Sequence, residues 1–385
     1  MKNWRQNKLE NLAKKEKFRK SKHKRQEAAR NHIETELELD ESKWPQLIES
    51  GLFPARIVEV HKRYAFVSPE KKPYKIDTSD VWLASIARKF SIAHRKERNF
   101  FCVGDKVLCR PGSGTDQIIS EDLPSCVIEN RAKRSNKISR LDPMTQEREH
   151  VLAANIDQMI IVASIAYPKI KWGLIDRFLV LAEEQGIKAK IIINKFDLLE
   201  KQKDSVQEEC QEYFTLYRKL GYDLHTIQAN NISKHDFNEM KGIFSAKISL
   251  VTGHSGVGKS SLVNLFDPEI SQEVETEEIL TKGRHTTTYA SLIKLKHGGF
   301  IIDTPGIRSF LLKDRNSVDL SWSFVEMRPF LNKCQFRECR HIDEPGCSII
   351  AAVKEGLISN WRYKSYTAIL TGASGREGRL RDLDV

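Results

Sequence analysis

The chain has no run of about 18 apolar residues, the length that would indicate a membrane-spanning helix, and its lysine-rich start has no apolar core segment. We therefore expect neither membrane insertion nor secretion. A disulfide ladder is also missing: of seven cysteines, three crowd into one short stretch and four are scattered. This pattern favours a metal site in a reduced compartment, so we expect a cytoplasmic protein.

Positive charge is in excess, but most of it lies at one end. The formal net charge is +11, and residues 1–30 hold twelve lysines or arginines against three glutamates. Residues 1–45 have few large apolar side chains, too few to offset the entropy of ordering. We interpret them as a mobile basic arm for a polyanionic partner such as RNA, although a solvated basic surface would give the same total.

Short β-prone runs separated by turn signals follow the arm. About five strands within some 70 residues are typical of a small barrel of the OB type, with an unrelated β domain as the alternative. The basic segment 83–99 looks helical or loop-like, which suggests an insertion into the barrel. The predicted strands are 55–60, 64–67, 74–76, 107–109 and 117–119.

After a basic linker at 131–140 the pattern changes to apolar strands alternating with amphipathic helices, which predicts a mostly parallel sheet covered by helices. We expect four parts: a basic arm (1–45), an OB-fold domain (46–130), an α/β domain (131–325) and a helical, cysteine-containing C-terminal domain (326–385). The predicted strands are 158–163, 190–193, 225–228, 248–252 and 300–302, and the predicted helices are 174–185, 206–220, 259–266, 349–355 and 360–370.

A glycine-rich segment between an apolar run and a helical stretch fits the phosphate-binding loop. Its glycines let backbone N–H groups approach phosphates, Lys259 would neutralise the β- and γ-phosphates, and the Ser260 hydroxyl would bind Mg²⁺. An accidental glycine-rich turn is the alternative. The residues of this segment are Gly253, His254, Ser255, Gly256, Val257, Gly258, Lys259, Ser260 and Ser261.

Asn194, Lys195, Phe196 and Asp197 follow a buried-strand run and have the form of the guanine-specificity motif of GTPases. A carboxylate at Asp197 accepts hydrogen bonds from guanine N1–H and from its exocyclic amine, two donors that adenine does not offer there. The motif is weak alone, but a phosphate-binding loop in the same domain strengthens it.

Asp303 ends another apolar strand, where its carboxylate could hold Mg²⁺ through water while the Gly306 N–H faces a γ-phosphate. Between the phosphate loop and Asp303 lies a threonine-rich run that could form the first switch. The sequence does not decide which of Thr286, Thr287 and Thr288 would close on Mg²⁺.

Cys334, Cys339, His341 and Cys347 supply three thiolates and one imidazole within a short segment. Such a set closes a tetrahedral Zn²⁺ site with no open position for water, so a structural role is expected. Buried free cysteines near an unrelated histidine are the alternative.

The order of these motifs is unusual, because the guanine motif precedes the phosphate loop. In this order, with the Cys/His set at the end, the chain resembles the circularly permuted, ribosome small-subunit-dependent GTPases of the RsgA or YjeQ family. The resemblance implies an OB barrel, a permuted GTPase domain and a zinc domain. It also implies GTP or GDP with Mg²⁺, one structural Zn²⁺, and GTP hydrolysis stimulated by the small ribosomal subunit and its rRNA late in maturation. A monomer is expected.

The position after the Asp-x-x-Gly motif is Ile307, which cannot orient an attacking water. Intrinsic hydrolysis should therefore be slow, and His285 or a ribosomal group would complete the site.

Two other functions compete. One is an RNA-binding scaffold with a vestigial nucleotide site, against which Lys259, Ser260 and Asp303 argue. The other is an ATP-dependent small-molecule kinase, which would have no need of Asp197.

Overall fold

The structure is a computed structural model. It describes residues 38–61, 64–71, 75–76, 80–86, 90, 99–112, 123–141, 149–267, 290–296, 298–303 and 317–372. The chain divides into two compact units, residues 1–135 with 141–151, and residues 136–140 with 152–385. Residues 1–37 of the predicted arm (1–45), the predicted strand 117–119, and the residues His285, Thr286–Thr288, Gly306 and Ile307 lie outside the described residues.

Five strands of the first unit close into a barrel, which confirms the predicted OB-type fold. In the order β2-β6-β7-β5-β3, each strand pairs with the next, and β3 pairs back with β2. Strands β5 and β7 run parallel. The elements of this unit are β1 (Glu38–Leu39), α1 (Trp44–Glu49), β2 (Phe53–Val60), β3 (Tyr64–Lys71), β4 (Lys75–Ile76), β5 (Trp82–Ile86), β6 (Lys106–Pro111) and β7 (Ser125–Ala132).

Two segments contain strands that their basic composition did not predict. The interpretation of 83–99 as an insertion is wrong for residues 83–86, which form most of β5 with Leu83 and Ala84 buried. The basic residues further along the segment obscured this short apolar run. Likewise, the supposed basic linker 131–140 contains the end of β7 and most of β8 (Lys137–Leu141), which pairs with β9 (Glu149–Ala154) in a separate two-stranded sheet.

The second unit contains the predicted parallel sheet, in the order β12-β11-β10-β13-β15-β14, and among these described strands only β14 runs antiparallel to its neighbour, β15. Every residue of β10 is buried, since the strand has neighbours on both sides and helices cover the faces of a parallel sheet. The strands are β10 (Gln158–Ser164), β11 (Lys188–Asn194), β12 (Asp223–Thr226), β13 (Ile248–Gly253), β14 (Ser291–Lys294) and β15 (Phe300–Asp303), and the helices are α2 (Trp172–Gln185), α3 (Asp204–Lys219), α4 (Lys234–Phe244) and α5 (Lys259–Asn264).

The C-terminal helical segment, residues 317–372, packs its own small core with Val180 of α2. It contains α6 (Ser317–Trp322), a 3₁₀ helix (Val325–Phe330), α7 (Ser348–Lys354) and α8 (Asn360–Leu370). Arg362 of α8 is fully buried and donates to Asp176 of α2 at 2.5 Å and to Glu326 at 2.6 Å. None of the helices in the described residues is both long and apolar enough to span a membrane.

Candidate guanine-nucleotide site and metal site

The guanine motif and the phosphate loop begin at the same edge of the sheet. Asn194 is the last residue of β11 and Gly253 the last of β13, and these strands lie on either side of β10. In the register of the sheet, Ser164 is paired with Asn194 and Val162 with Gly253. The carboxyl ends of parallel strands are where α/β sheets bind ligands, so the two motifs share one potential site.

Asn194 joins three segments at this edge. Its side chain is buried, its Nδ2 donates to the Val257 carbonyl at 3.0 Å, and its Oδ1 accepts from the Ala229 N–H at 3.0 Å. A buried amide with both ends satisfied fixes its neighbours, because breaking either bond leaves a polar group unpaired. The guanine motif, the phosphate loop and the turn at Ala229 therefore hold one another in place.

Lys195 makes a second connection between the two motifs. Its backbone is left-handed, with φ 56°, and its Nζ donates to the Gly256 carbonyl at 2.9 Å and to the Tyr167 carbonyl. The next residues form a 3₁₀ helix, Phe196–Leu198, in which the Phe196 N–H donates to the Ile227 carbonyl at 3.1 Å. Asp197 is exposed within it. The carboxylate is thus open to a ligand while the residues before it are held.

Two glycines of the phosphate loop cannot be replaced without a clash. A Cβ at Gly253, with φ 145°, would lie 2.1 Å from the Val162 carbonyl oxygen of β10. A Cβ at Gly258, with φ 96°, would lie 2.1 Å from Asn194 Nδ2. The close approach at Gly258 is what allows Asn194 to reach the Val257 carbonyl.

The remaining loop side chains divide into one buried anchor and several accessible groups. Val257 is buried in the apolar core, whereas Ser255 and Ser260 are exposed and His254 and Ser261 are half-buried. Lys259 begins α5, and its Nζ donates to the Gly253 carbonyl at 3.0 Å and to the His254 carbonyl at 2.8 Å. The ammonium group therefore lies over the loop, at the place where phosphate oxygens could become its acceptors.

Asp303 ends β15, the strand next to β13 on the side opposite β10. The structure therefore brings the guanine motif, the phosphate loop and the backbone of Asp303 to one sheet edge. The other predicted residues of this site, Gly306 and His285, lie outside the described residues.

Sequence reasoning missed the loop between β10 and α2. Tyr167 is 81% exposed, has φ 52°, and offers its carbonyl to Lys195. The following Pro168 has its Cδ 3.4 Å from where a Cβ on Gly256 would lie, and its carbonyl accepts from Ser164 Oγ at 2.8 Å. A proline shortly after a buried strand was the signal that could have marked this loop.

The four predicted metal ligands meet in the C-terminal helical segment. The ligand atoms of Cys334, Cys339, His341 and Cys347 all lie within 4.8 Å of one another. Cys334 Sγ is 3.9 Å from Cys347 Sγ, and His341 Nδ1 is 3.5 Å from Cys334 Sγ and 3.4 Å from Cys347 Sγ. A tetrahedron with Zn–S of about 2.3 Å and Zn–N of about 2.0 Å has edges of roughly 3.5–3.8 Å. The donor set and its spacing fit one Zn²⁺.

A sheet in which the guanine motif precedes the phosphate loop along the chain defines a circularly permuted P-loop GTPase. The family model for the RsgA GTPase matches residues 131–313. A relative from Mannheimia succiniciproducens, named small ribosomal subunit biogenesis GTPase RsgA, is 38% identical over 70% of this chain and 73% of its own. A relative of the same name from Chlorobaculum tepidum is 35% identical over 73% of this chain and 88% of its own. The chain belongs to the RsgA GTPase family.

Two solved structures agree with this assignment. YloQ, described as a circularly permuted GTPase, is 26% identical and superimposes with a TM-score of 0.61 over 85% of this chain and 97% of its own. YjeQ from Thermotoga maritima is 29% identical, with a TM-score of 0.62 over 84% of this chain and 99% of its own. The shared architecture extends beyond the segment matched by the family model.

Proposed function

We propose that this GTPase binds the small ribosomal subunit and hydrolyses GTP to assist or check its late maturation. The observation that carries the proposal is the Asn194 side chain, which bonds the guanine motif to the phosphate loop at 3.0 Å. Two separate recognition elements are thereby held as one site. The names of the relatives, small ribosomal subunit biogenesis GTPases, support the choice of partner.

In this proposal each group has a role set by its chemistry. The Asp197 carboxylate accepts from guanine N1–H and the exocyclic amine, and Lys259 transfers its hydrogen bonds from loop carbonyls to phosphate oxygens. Ser260 binds Mg²⁺, assisted by Asp303 through water and by one of Thr286, Thr287 and Thr288, while the Gly306 N–H meets the γ-phosphate. The nucleotide-contacting set is Asn194, Lys195, Phe196, Asp197, Gly253–Ser261, Asp303 and Gly306.

The rest of the chain supplies anchoring. One structural Zn²⁺ on Cys334, Cys339, His341 and Cys347 stabilises the C-terminal helical segment, and the barrel and the basic residues 1–30 contact rRNA. We propose four functional parts with the boundaries expected from the sequence (1–45, 46–130, 131–325 and 326–385) in a monomer that works in the cytoplasm with ribosomes.

Base specificity is the first test. GTP should bind much more tightly than ATP, and Asp197→Asn should favour xanthosine triphosphate, because an amide can donate to the xanthine oxygen that replaces the guanine amine. Titration of the three nucleotides measures this. Glu200→Gln, an exposed carboxylate three positions further on, is the matched control and should bind as the unmodified protein does. Equal affinity for GTP and ATP would contradict the proposal.

His285 is the proposed catalytic residue, because Ile307 offers no hydrogen bond to the attacking water. For scale, a GTPase without its activator turns over about 10⁻⁴ per second and gains roughly 10³–10⁵ when its site is completed. The His285→Ala variant should bind GTP normally but lose the stimulation by saturating small subunits. Undiminished stimulation would assign the water-orienting group to the ribosome, and no stimulation of the unmodified protein would refute the choice of partner.

A further inference from the structure

A groove that is open to solvent runs between the start of α2 and helix α8. Arg177 and Lys364 line it, together with Tyr213, Trp361 and Ile369. Among the described residues, none that lines the groove is acidic. The groove therefore combines positive charge with aromatic and aliphatic surface, and it is separate from the nucleotide site and from the Cys/His cluster.

Three aromatic rings from three helices are stacked at one end of this groove. Trp172 of α2 stacks on Tyr213 of α3 with ring centroids 4.1 Å apart and planes at 9°. Tyr213 also stacks on Trp361 of α8, at 4.3 Å and 11°. Trp172 Nε1 donates to Glu209 at 3.0 Å. Tyr213 therefore covers one face of the half-buried Trp361 indole and fixes its orientation.

The two walls of the groove are joined by a buried ion pair. Arg362 and Asp176 are 0% and 1% exposed, and the Ser365 hydroxyl also donates to Asp176. Arg177 directly follows Asp176 in α2, and Lys364 lies two positions after Arg362 in α8. The same ion pair therefore sets the spacing of both groove cations, and a preorganised site loses less entropy on binding.

Arg177 is a partly buried cation that lines the groove. Burial lowers the pKa of its guanidinium, so this cation is partly desolvated without becoming neutral. A phosphate placed beside Arg177 would form charge-assisted hydrogen bonds with this cation.

We propose that the groove docks a single-stranded segment of RNA, with a phosphate held by Arg177 and Lys364 and a base stacked against Trp361. The positive charge favours a polyanion over an apolar helix, and the fixed ring favours a nucleic acid over an acidic peptide, because every base has a face that can stack. Identifying the RNA as ribosomal rests on the proposed function.

Fluorescence anisotropy of a short fluorescein-labelled single-stranded RNA, titrated with the full chain at two salt concentrations, tests the docking site. Lys364→Glu should weaken binding and reduce the slope of log affinity against log salt by about 0.7 for each phosphate that is no longer neutralised. Trp361→Leu should weaken binding about fivefold to a hundredfold, the usual effect of removing a stacked base. Lys354→Glu makes the same charge change on an exposed residue of α7 outside the groove and is the matched control.

The outcomes separate the alternatives. GTP affinity and metal content should be unchanged in Lys364→Glu, which shows that the variant is folded. Equal RNA affinity for Lys364→Glu and Lys354→Glu would overturn the proposal. Loss of small-subunit binding with unchanged RNA affinity would overturn it too, since the groove would then receive a protein. Weakened RNA binding would support the groove even if small subunits failed to stimulate GTP hydrolysis, which would refute only the proposed function.

Discussion

The nucleotide edge of the sheet and the C-terminal helical segment are stabilised by different means. At the nucleotide edge the loops extend from β10, β11 and β13, and hydrogen bonds from the Asn194 amide and the Lys195 ammonium to backbone groups connect them. The C-terminal helical segment has short helices, of six, seven and eleven residues, and it contains the Cys/His cluster and the buried charge of Arg362.

The difference concerns the interactions that supply the free energy of folding in each region. A parallel sheet with a fully buried central strand positions its loops through apolar burial, which needs no ligand. A segment with little core of its own gains from a metal that binds only the folded form. Substitutions in the C-terminal helical segment should therefore change its stability with little effect on GTP affinity, and substitutions at the nucleotide edge should do the reverse.

Losing the metal should have the largest effect. Structural Zn²⁺ contributes about 10–16 kcal/mol in small zinc domains at neutral pH, so Cys339→Ser should abolish the metal complement and unfold the C-terminal helical segment. GTP affinity should change little. Elemental analysis and thermal melting measure the outcome. Cys210→Ala, a buried cysteine outside the cluster, should keep a full zinc complement. A full complement in refolded Cys339→Ser would remove this cluster as the site.

Breaking the buried ion pair comes next. Arg362→Met leaves Asp176 and Glu326 without their shared cation, and removing one partner of a buried pair costs about 3–5 kcal/mol. Arg328→Met breaks a half-exposed pair with Glu183 and should cost no more than about 1 kcal/mol. Urea unfolding of both variants provides the comparison. Equal losses of stability would show that burial of Arg362 has no special consequence.

At the nucleotide edge, Gly258→Ala should affect GTP more than it affects stability. The added Cβ meets Asn194 Nδ2. Strain of about 1–3 kcal/mol plus a broken hydrogen bond of about 1 kcal/mol corresponds to roughly a thirtyfold to thousandfold loss of affinity. Isothermal titration with GTP measures it. Gly186→Ala places a residue at φ 63° with nothing within 4 Å, so it should bind GTP normally. Comparable affinities in the two variants would argue against the tight fit at Gly258.

Deleting residues 1–30 should leave both regions unaffected, which makes it the smallest effect on the folded protein. The melting temperature, zinc content and GTP affinity should be unchanged. Binding to small subunits should weaken and lose part of its salt dependence, because the segment holds twelve lysines or arginines. Affinities for small subunits, measured at two salt concentrations with and without residues 1–30, test this prediction. An unchanged slope of log affinity against log salt would indicate that the segment is only a solubilising tail.

The sequence was most informative where chemistry and periodicity coincide. Asn194 and Gly253 each follow an apolar run, so their places at strand ends were predictable, as was the closeness of the four Cys and His ligands. Strand β5 was missed because it has five residues followed by basic ones, which leaves little pattern to read. The hydrogen bond of Asn194 to Val257 and the pairing of Arg362 with Asp176 were not predictable, because each joins residues far apart in the chain.

The permuted order also imposes a sequence of events during translation. During its own synthesis, the segment that carries the guanine motif leaves the translating ribosome first. The hydrogen-bond acceptor of Asn194, the Val257 carbonyl, follows 63 residues later. At about 5–20 residues per second those residues take roughly 3–13 seconds to synthesise. During that interval β10 has β11 beside it but not β13, so one edge of a strand that is fully buried in the finished sheet is open to wrong partners. Nascent chains of this protein should therefore depend on chaperones most strongly between the synthesis of β11 and that of β13.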